Sequence, residues 1–142
     1  MNEICFSVKG IPSPQGSHRV FMVKGKPVVT DTNKNLKVWR ELIANKAKKC
    51  APTKKLLEGP IEVEPIFVMP RPKNIPKTKR AHIKRPDLDK LIRAVFDSLT
   101  GTIITDDSHI YSLHAAKIYE TEKISPGVTI CIRKKDDHIA WW

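Results

Sequence analysis

The stretch KRPDLDKLIRAVFDSLTG at residues 84–101 decides how this chain folds. Its apolar residues recur at the i, i+3, i+4, i+7 spacing that places side chains on one face of a helix: Leu88, Leu91, Ile92, Val95, Phe96 and Leu99. Pro86 suits a first helical turn, and Gly101 supplies a stop. We therefore predict an amphipathic helix over residues 86–100 whose apolar face packs on the rest of the domain.

The flanking sequence predicts strands and one further helix. Apolar residues alternate over 3–9, a hairpin surrounds Gly25 within 20–29, and apolar runs cover 61–69, 110–119 and 127–132. The other helix is predicted to begin near residues 30–33, to end before Pro52, and to bury Leu36, Trp39, Ile43 and Ala47. Pro65 suggests an edge or a bulge in its strand. The order of these predicted strands and helices along the chain indicates a small single-domain α+β fold, with two main helices and a mixed sheet of about four to six strands.

The net charge of +11 over 142 residues favours a polyanionic partner, because contacts with phosphates release condensed counterions. The charge is concentrated in residues 71–85, called the basic loop below, which hold seven basic residues, no acidic one and no helical or strand periodicity. About fifteen residues are more than an ordinary connection needs. We interpret the loop as a grip for DNA that orders on binding, with a solvated loop as the alternative.

Four aspartates frame the predicted helix of residues 86–100. Asp87 and Asp89 stand at its start, and Asp106 and Asp107 follow it. If the chain turns back after Gly101, a residue near 107 can just reach the start of the helix. Carboxylates gathered in this way would hold Mg²⁺ or Mn²⁺, and such an ion could hydrolyse a phosphodiester. The alternative is structural, with helix N-terminal acids and an ordinary turn.

Together these residues resemble the RusA family of Holliday junction resolvases. The resemblance rests on Asp87-Leu88-Asp89, on the helix that follows, and on the Asp106-Asp107 dipeptide. It implies a RusA-like fold over residues 1–135, with 136–142 as a C-terminal tail. The implied activity is that of a homodimeric, Mg²⁺-dependent endonuclease that resolves four-way junctions by paired symmetric nicks during recombination and repair.

The resemblance also assigns roles to residues. The catalytic set is Asp87, Asp89, Asp107 and Arg93, and the metal ligands are Asp87, Asp89 and Asp107 with help from Asp106. The family commonly has lysine where Arg93 stands and asparagine where Lys90 stands, so Arg93 replaces a flexible point charge by a rigid fork. The residues expected to contact DNA are Lys73, Lys77, Lys79, Arg80, Lys84, Arg85 and Lys90.

Two other functions remain open at this point: a non-catalytic basic module that binds nucleic acid, and a RusA-like nuclease for other branched DNA. Neither an 18-residue apolar run nor a signal peptide is recognisable, so we expect a cytoplasmic protein with no membrane partner and no organic cofactor. A phage or prophage origin is compatible with the resemblance. Cys5 and Cys131 lie in apolar runs and are predicted to be core residues.

Overall fold

The computed structural model describes residues 3–16, 19–30 and 35–136. Two α-helices and seven strands follow one another along this part of the chain. In order they are β1 (Glu3–Lys9), β2 (Arg19–Val23), β3 (Lys26–Thr30), α1 (Leu36–Cys50), β4 (Ile61–Met69), α2 (Leu88–Leu99), β5 (Ile110–Leu113), β6 (Ala116–Tyr119) and β7 (Gly127–Lys134). A short 3₁₀ turn, Asp107–His109, separates α2 from β5.

Five strands form one mixed sheet in the order β1-β7-β4-β5, with β6 beside β5 on the same edge of β4. β7 is antiparallel to both β1 and β4, whereas β5 and β6 run parallel to β4. β2 and β3 form a separate antiparallel hairpin. The predicted α+β class, with a mixed sheet and two helices, is confirmed.

Both helices cover one face of the sheet and bury their predicted apolar stripes. Trp39, Ile43 and Ala47 of α1 are buried, as are Leu91 and Leu99 of α2. α1 packs against α2 and β1, and the core lies between the helices and the inward side chains of β1, β4 and β7. Among the described residues, no helix combines the length and the apolarity needed to cross a bilayer.

The prediction of an edge or a bulge at Pro65 was wrong in both forms, because its strand is central and the register shift of that strand lies at Ile61/Glu62. β4 lies between β7 and the pair β5 and β6. β5 pairs with β4 as far as Val63, and β6 begins to pair at Ile66. Pro65 therefore lies where the neighbouring strand is interrupted, and a residue without an N–H is tolerated at such a break. The same interruption divides the single strand predicted over residues 110–119 into β5 and β6.

Cys5 and Cys131 are not core residues, because they face away from the helices and form a disulfide. They are directly opposite each other in the register of β1 and β7. Phe6 and Val8 take the inward positions of β1, so alternation turns Cys5 to the open face of the sheet. Cys50 is a free cysteine at the end of α1.

The start of α1 differs from the prediction at residues 30–33. Thr30 ends β3, and Asn35 immediately precedes α1 and makes no side-chain capping bond. The remaining cap candidates at 31–33 lie outside the described residues, as does most of the predicted tail, 137–142.

Candidate nuclease site

The first acid pair lies at the start of α2. Asp87 is the extended residue just before the helix, with φ −69° and ψ 142°, and Asp89 belongs to the first turn. Both side chains are exposed. The Asp87 side chain does not accept a hydrogen bond from the helix N-terminus. The Asp87 carboxylate therefore caps no N–H group of α2, whereas the structural alternative, a charge that favours the positive end of the helix, needs no such bond.

A lysine that the sequence analysis missed supports the segment before Asp87. Lys117 Nζ of β6 donates hydrogen bonds to the carbonyl oxygens of Lys84, at 2.5 Å, and of Pro86, at 2.6 Å. Partial burial lowers the pKa of the Lys117 ammonium, and the negative charge of Asp87 opposes that shift. The Lys117 ammonium thus bridges the carbonyl groups of Lys84, near the end of the basic loop, and of Pro86, which immediately precedes Asp87.

Replacing Lys117 should loosen this segment without unfolding the domain. Lys117→Met keeps most of the aliphatic chain but removes two charge-assisted hydrogen bonds, so we expect amide exchange in residues 84–89 to accelerate by roughly tenfold or more. Hydrogen exchange read by mass spectrometry measures the change. Lys117→Arg should restore most of the protection, and the exposed Lys49→Met should leave it unaltered. Unchanged exchange in Lys117→Met would show that the bonds to Lys84 and Pro86 do not order the segment.

The second acid pair lies at the start of the 3₁₀ turn between α2 and β5, with Asp106 as its N-cap and Asp107 as its first residue. The Asp106 carboxylate accepts a hydrogen bond of 2.9 Å from the Ser108 N–H, and this bond lowers the pKa of Asp106. Desolvation raises the pKa of Asp107, and a hydrogen bond with Asp106 and repulsion from Asp106 and Asp97 raise it further. Asp106 is therefore a capping residue. The surroundings of Asp107, in contrast, disfavour the ionised form of its carboxyl group.

The structure does not bring the two acid pairs together. Ile103 and Ile104 both donate backbone hydrogen bonds to Leu99 O, so the chain stays at the end of α2 instead of returning to its start. Asp107 is accordingly close enough to Asp97 to feel its charge. Asp89 and Asp97 are eight residues apart, roughly 12 Å along a helix that rises about 1.5 Å per residue. The expectation that residue 107 reaches the start of the helix was wrong for a single chain.

No metal-binding group forms within one chain, as far as the described residues extend. In these residues, no three histidine, cysteine, aspartate or glutamate side chains are grouped closely enough to hold an ion. Asp87 and Asp89 offer two carboxylates at one end of α2, and Asp106 and Asp107 offer two at the other. A single chain therefore does not fit the predicted Mg²⁺ site.

Two basic side chains share a groove with Asp87. A groove of about 620 Å³ beside Asp87 is lined by Arg85 and Lys90 on one side and by the Pro12–Pro14 segment on the other. The Gln15 N–H donates to Lys90 O at 3.0 Å, which fixes that segment against the first turn of α2. Arg93 is exposed one turn further along. The groove thus combines the Asp87 carboxylate with cations of the kind that hold a phosphate.

The basic loop is held against the sheet, contrary to the expectation that it orders only on binding DNA. Tyr119 N donates to Arg80 O at 2.8 Å, and His82 N donates to Lys117 O at 3.0 Å, so the loop extends the sheet beside β6. Arg71 turns inward, where it stacks over the Tyr119 ring at 4.9 Å. The predicted DNA contacts within the loop remain exposed: Lys73, Lys77, Lys79, Arg80, Lys84 and Arg85.

The fold and this site define a basic α+β domain that presents acid pairs at both ends of one helix beside an exposed cationic loop. The sequence model of the endodeoxyribonuclease RusA family matches residues 10–133, which is most of the chain. The chain therefore belongs to the RusA family of endodeoxyribonucleases, which act on branched DNA junctions. It is also 29% identical, over 94% of its length and 98% of the relative's, to the uncharacterized protein YqaN of Bacillus subtilis (strain 168).

Proposed function

We propose that this protein is a Mg²⁺-dependent, structure-specific endonuclease that resolves four-way DNA junctions by paired symmetric nicks, working as a homodimer in recombination and repair. Membership of the RusA family over residues 10–133 is the observation that carries the proposal. The surface around Asp87 supports it, because Arg85 and Lys90 can attract a phosphate beside a carboxylate, and carboxylate oxygens are ligands that Mg²⁺ prefers.

The proposed roles follow from position. Asp87, Asp89 and Asp107 are the essential acids, and Asp106 supports Asp107 by capping its turn. A bound Mg²⁺ or Mn²⁺ would polarise the scissile phosphate and supply hydroxide. Lys90, Arg93 and Arg85 attract the phosphate, and the exposed cations of the basic loop hold the DNA arms. No organic cofactor is needed for phosphodiester hydrolysis of this kind.

Cleavage of matched DNA substrates tests the proposal. The purified protein is incubated with a labelled four-way junction, a replication fork, a flap and a linear duplex of the same sequence, each with Mg²⁺, Mn²⁺ or EDTA. We expect symmetric nicks in the junction that disappear with EDTA. Preferred cleavage of the fork or flap would assign a different branched substrate. Binding without cleavage in both metals would instead make the protein a non-catalytic binding module.

The basic loop should dominate the salt dependence of DNA binding. Replacing Lys73, Lys79 and Arg80 by glutamine should reduce the slope of log Kd against log salt by about 2 to 3, since each phosphate contact contributes about 0.9. Fluorescence anisotropy over a range of salt concentrations measures the slope.

A matched triple variant controls for total charge. Lys46, Lys48 and Lys49 are equally exposed on α1, and glutamine at these positions should leave the slope nearly unchanged. Equal effects of the two triple variants would mean that the basic loop acts only through net charge and does not contact phosphates.

A further inference from the structure

The end of α2 that carries Asp97 shares a groove with α1. This groove, called the α1 groove below, has a volume of about 350 Å³ and is lined by Lys37 and Arg40 of α1 and by Asp97 of α2. The two cations are three residues apart and therefore lie on the same side of α1. Desolvation and Asp106 raise the pKa of Asp107, and the charge of Asp97 raises it further. The α1 groove therefore lies close to the turn of Asp107.

The two cations of the α1 groove have no charged partner within the chain as far as it is described. Neither Lys37 nor Arg40 forms a salt bridge there, although Asp97 lines the same groove. Lys37 also stands in the first turn of α1, where the helix dipole disfavours a positive charge, and no acid in that turn offsets it. A bound anion would balance both positive charges.

The hydroxyl groups of the α1 groove leave the binding of an anion to these cations. Thr100 and Thr102 donate their hydroxyl hydrogens to carbonyl oxygens of α2, at 2.9 Å and 2.7 Å. Lys37 and Arg40 are therefore the donors that this groove offers to a ligand. A guanidinium fork beside an ammonium is a combination with which proteins bind phosphate.

A DNA strand needs cations at this end of α2. Residues 94–116 contain three aspartates and neither lysine nor arginine, so this segment alone would repel a strand that approaches Asp107. Arg85 and Lys90 lie beside the start of α2. The two ends of the helix are roughly 12 Å apart, and salt screens charges beyond about 8 Å, so those two cations contribute little here. The compensating charge must come from another element, and α1 supplies it.

We propose that the α1 groove is a second phosphate-binding subsite, in which Lys37 and Arg40 hold a backbone phosphate of the DNA strand that passes Asp107. The proposal rests on the proposed nuclease function, and it adds a DNA contact on α1 to those of the basic loop. Asp97 weakens the subsite by repulsion, because its half-buried carboxylate is less screened than an exposed one. The subsite binds the strand and does not touch the phosphate that is cut.

Uncharged phosphates in the DNA locate the subsite. In a labelled four-way junction, phosphates near the crossover are replaced one at a time by methylphosphonates, and Kd is measured by anisotropy in EDTA. Wild-type binding should weaken by about threefold or more at each phosphate that the protein contacts. The double variant Lys37→Gln, Arg40→Gln should bind the unmodified junction about tenfold more weakly and lose its response at one or two of these positions only. The control Lys48→Gln, Lys49→Gln changes two exposed lysines of α1 and should keep the full pattern.

The acid of the α1 groove gives an independent test in the opposite direction. Asp97→Asn should tighten junction binding by about threefold to fivefold, because it removes a repelling charge. Glu41 also borders the groove, but its carboxylate is exposed and screened by salt, so Glu41→Gln should change Kd by less than about twofold. An Asp97→Asn variant that binds no more tightly than Glu41→Gln contradicts a phosphate beside Asp97.

The outcomes separate the subsite from the proposed function. If Lys37→Gln, Arg40→Gln retains the complete wild-type pattern of responses to methylphosphonates, the subsite is overturned even where the wild type nicks junctions. If the wild type binds junctions but nicks none in Mg²⁺ or Mn²⁺, the proposed function fails, and the pattern measured in EDTA still decides on the subsite.

Two further measurements exclude other uses of the same cations. At saturating protein the double variant Lys37→Gln, Arg40→Gln should nick within about threefold of the wild-type rate, because it loses binding and not chemistry. A loss of more than about a hundredfold at saturation would place the cations in catalysis and contradict the proposal. Equilibrium dialysis with ATP distinguishes a free nucleotide from DNA. ATP that is bound by the wild type and not by the double variant, together with an unchanged pattern, would assign the groove to nucleotides instead.

Discussion

Asp89→Asn should reduce the rate of junction nicking by more than about a hundredfold. Substitution of a residue that only hydrogen-bonds to a metal ligand already reduces activity by about 10- to 100-fold, and Asp89 is proposed to be a ligand itself. The same variant should bind the junction at least as tightly as the wild type, because it removes a negative charge that faces phosphates. Asp89 is exposed, so the fold has no need of its carboxylate. Single-turnover cleavage at saturating protein measures the rate, and anisotropy in EDTA measures binding.

The exposed Glu41 on α1 provides the control for charge. Glu41→Gln makes the same change in net charge and should alter neither rate nor affinity by more than about twofold. If Asp89→Asn lost DNA affinity while keeping its thermal stability, Asp89 would be a DNA contact and not a metal ligand.

Asp107→Asn should abolish nicking to a similar degree and, unlike most substitutions, stabilise the metal-free protein. The pKa of Asp107 is raised by desolvation and by the charges of Asp106 and Asp97, so its ionised form is disfavoured in the folded state at neutral pH. A neutral amide removes that penalty. We expect Tm to rise by about 1 °C to 3 °C in EDTA, after discounting for the solvent exposure of this turn.

The neighbouring acid should respond in the opposite sense. Asp106→Ala removes the acceptor of the Ser108 N–H and should lower Tm, because the pKa of Asp106 is depressed by that bond. Differential scanning calorimetry at pH 7 compares the two. If Asp107→Asn lowered Tm as Asp106→Ala does, the Asp107 carboxylate would be part of the structure of the turn and not a group held for function.

The local elements of this fold follow from sequence because they depend on periodicity. The stripe that includes Leu91, Val95 and Leu99 defined α2, and alternation over residues 3–9 defined β1. The same alternation predicts the side of the sheet on which Cys5 lies. Because Phe6 and Val8 face the core, Cys5 must face the opposite side, where it lies across from Cys131. Residue type alone suggested a core cysteine, and the period of the strand contradicts it.

The features that could not be predicted depend on contacts between distant segments. The turn after α2 is held by bonds to Leu99 O and by the Thr105 N–H, which donates to Leu57 O, and no local pattern encodes that pairing. An extended chain from Gly101 to Asp107 is long enough to bring Asp107 back to the start of α2. The hydrogen bonds to Leu99 O keep this segment at the end of the helix instead. Lys117 is a further example, because nothing in its neighbourhood in sequence indicates that it binds the carbonyl groups of Lys84 and Pro86.

The sequence pattern nominates the residues of the candidate site but does not predict how they are arranged in space. Asp87, Asp89 and Arg93 lie on the exposed start of α2 as their spacing indicated, and the loop that follows β4 is basic and exposed. Asp107, which the sequence pattern predicts to act with them, lies at the other end of α2.

Cleavage of a supercoiled plasmid that extrudes a cruciform tests the central claim most directly, because the products distinguish paired from single nicks. The proposed resolvase should convert the plasmid in Mg²⁺ to linear DNA, cut symmetrically at the base of the cruciform, with little nicked circle accumulating and with no reaction in EDTA. A plasmid that stays supercoiled in both Mg²⁺ and Mn²⁺, or that is cut equally well without the cruciform, would contradict it.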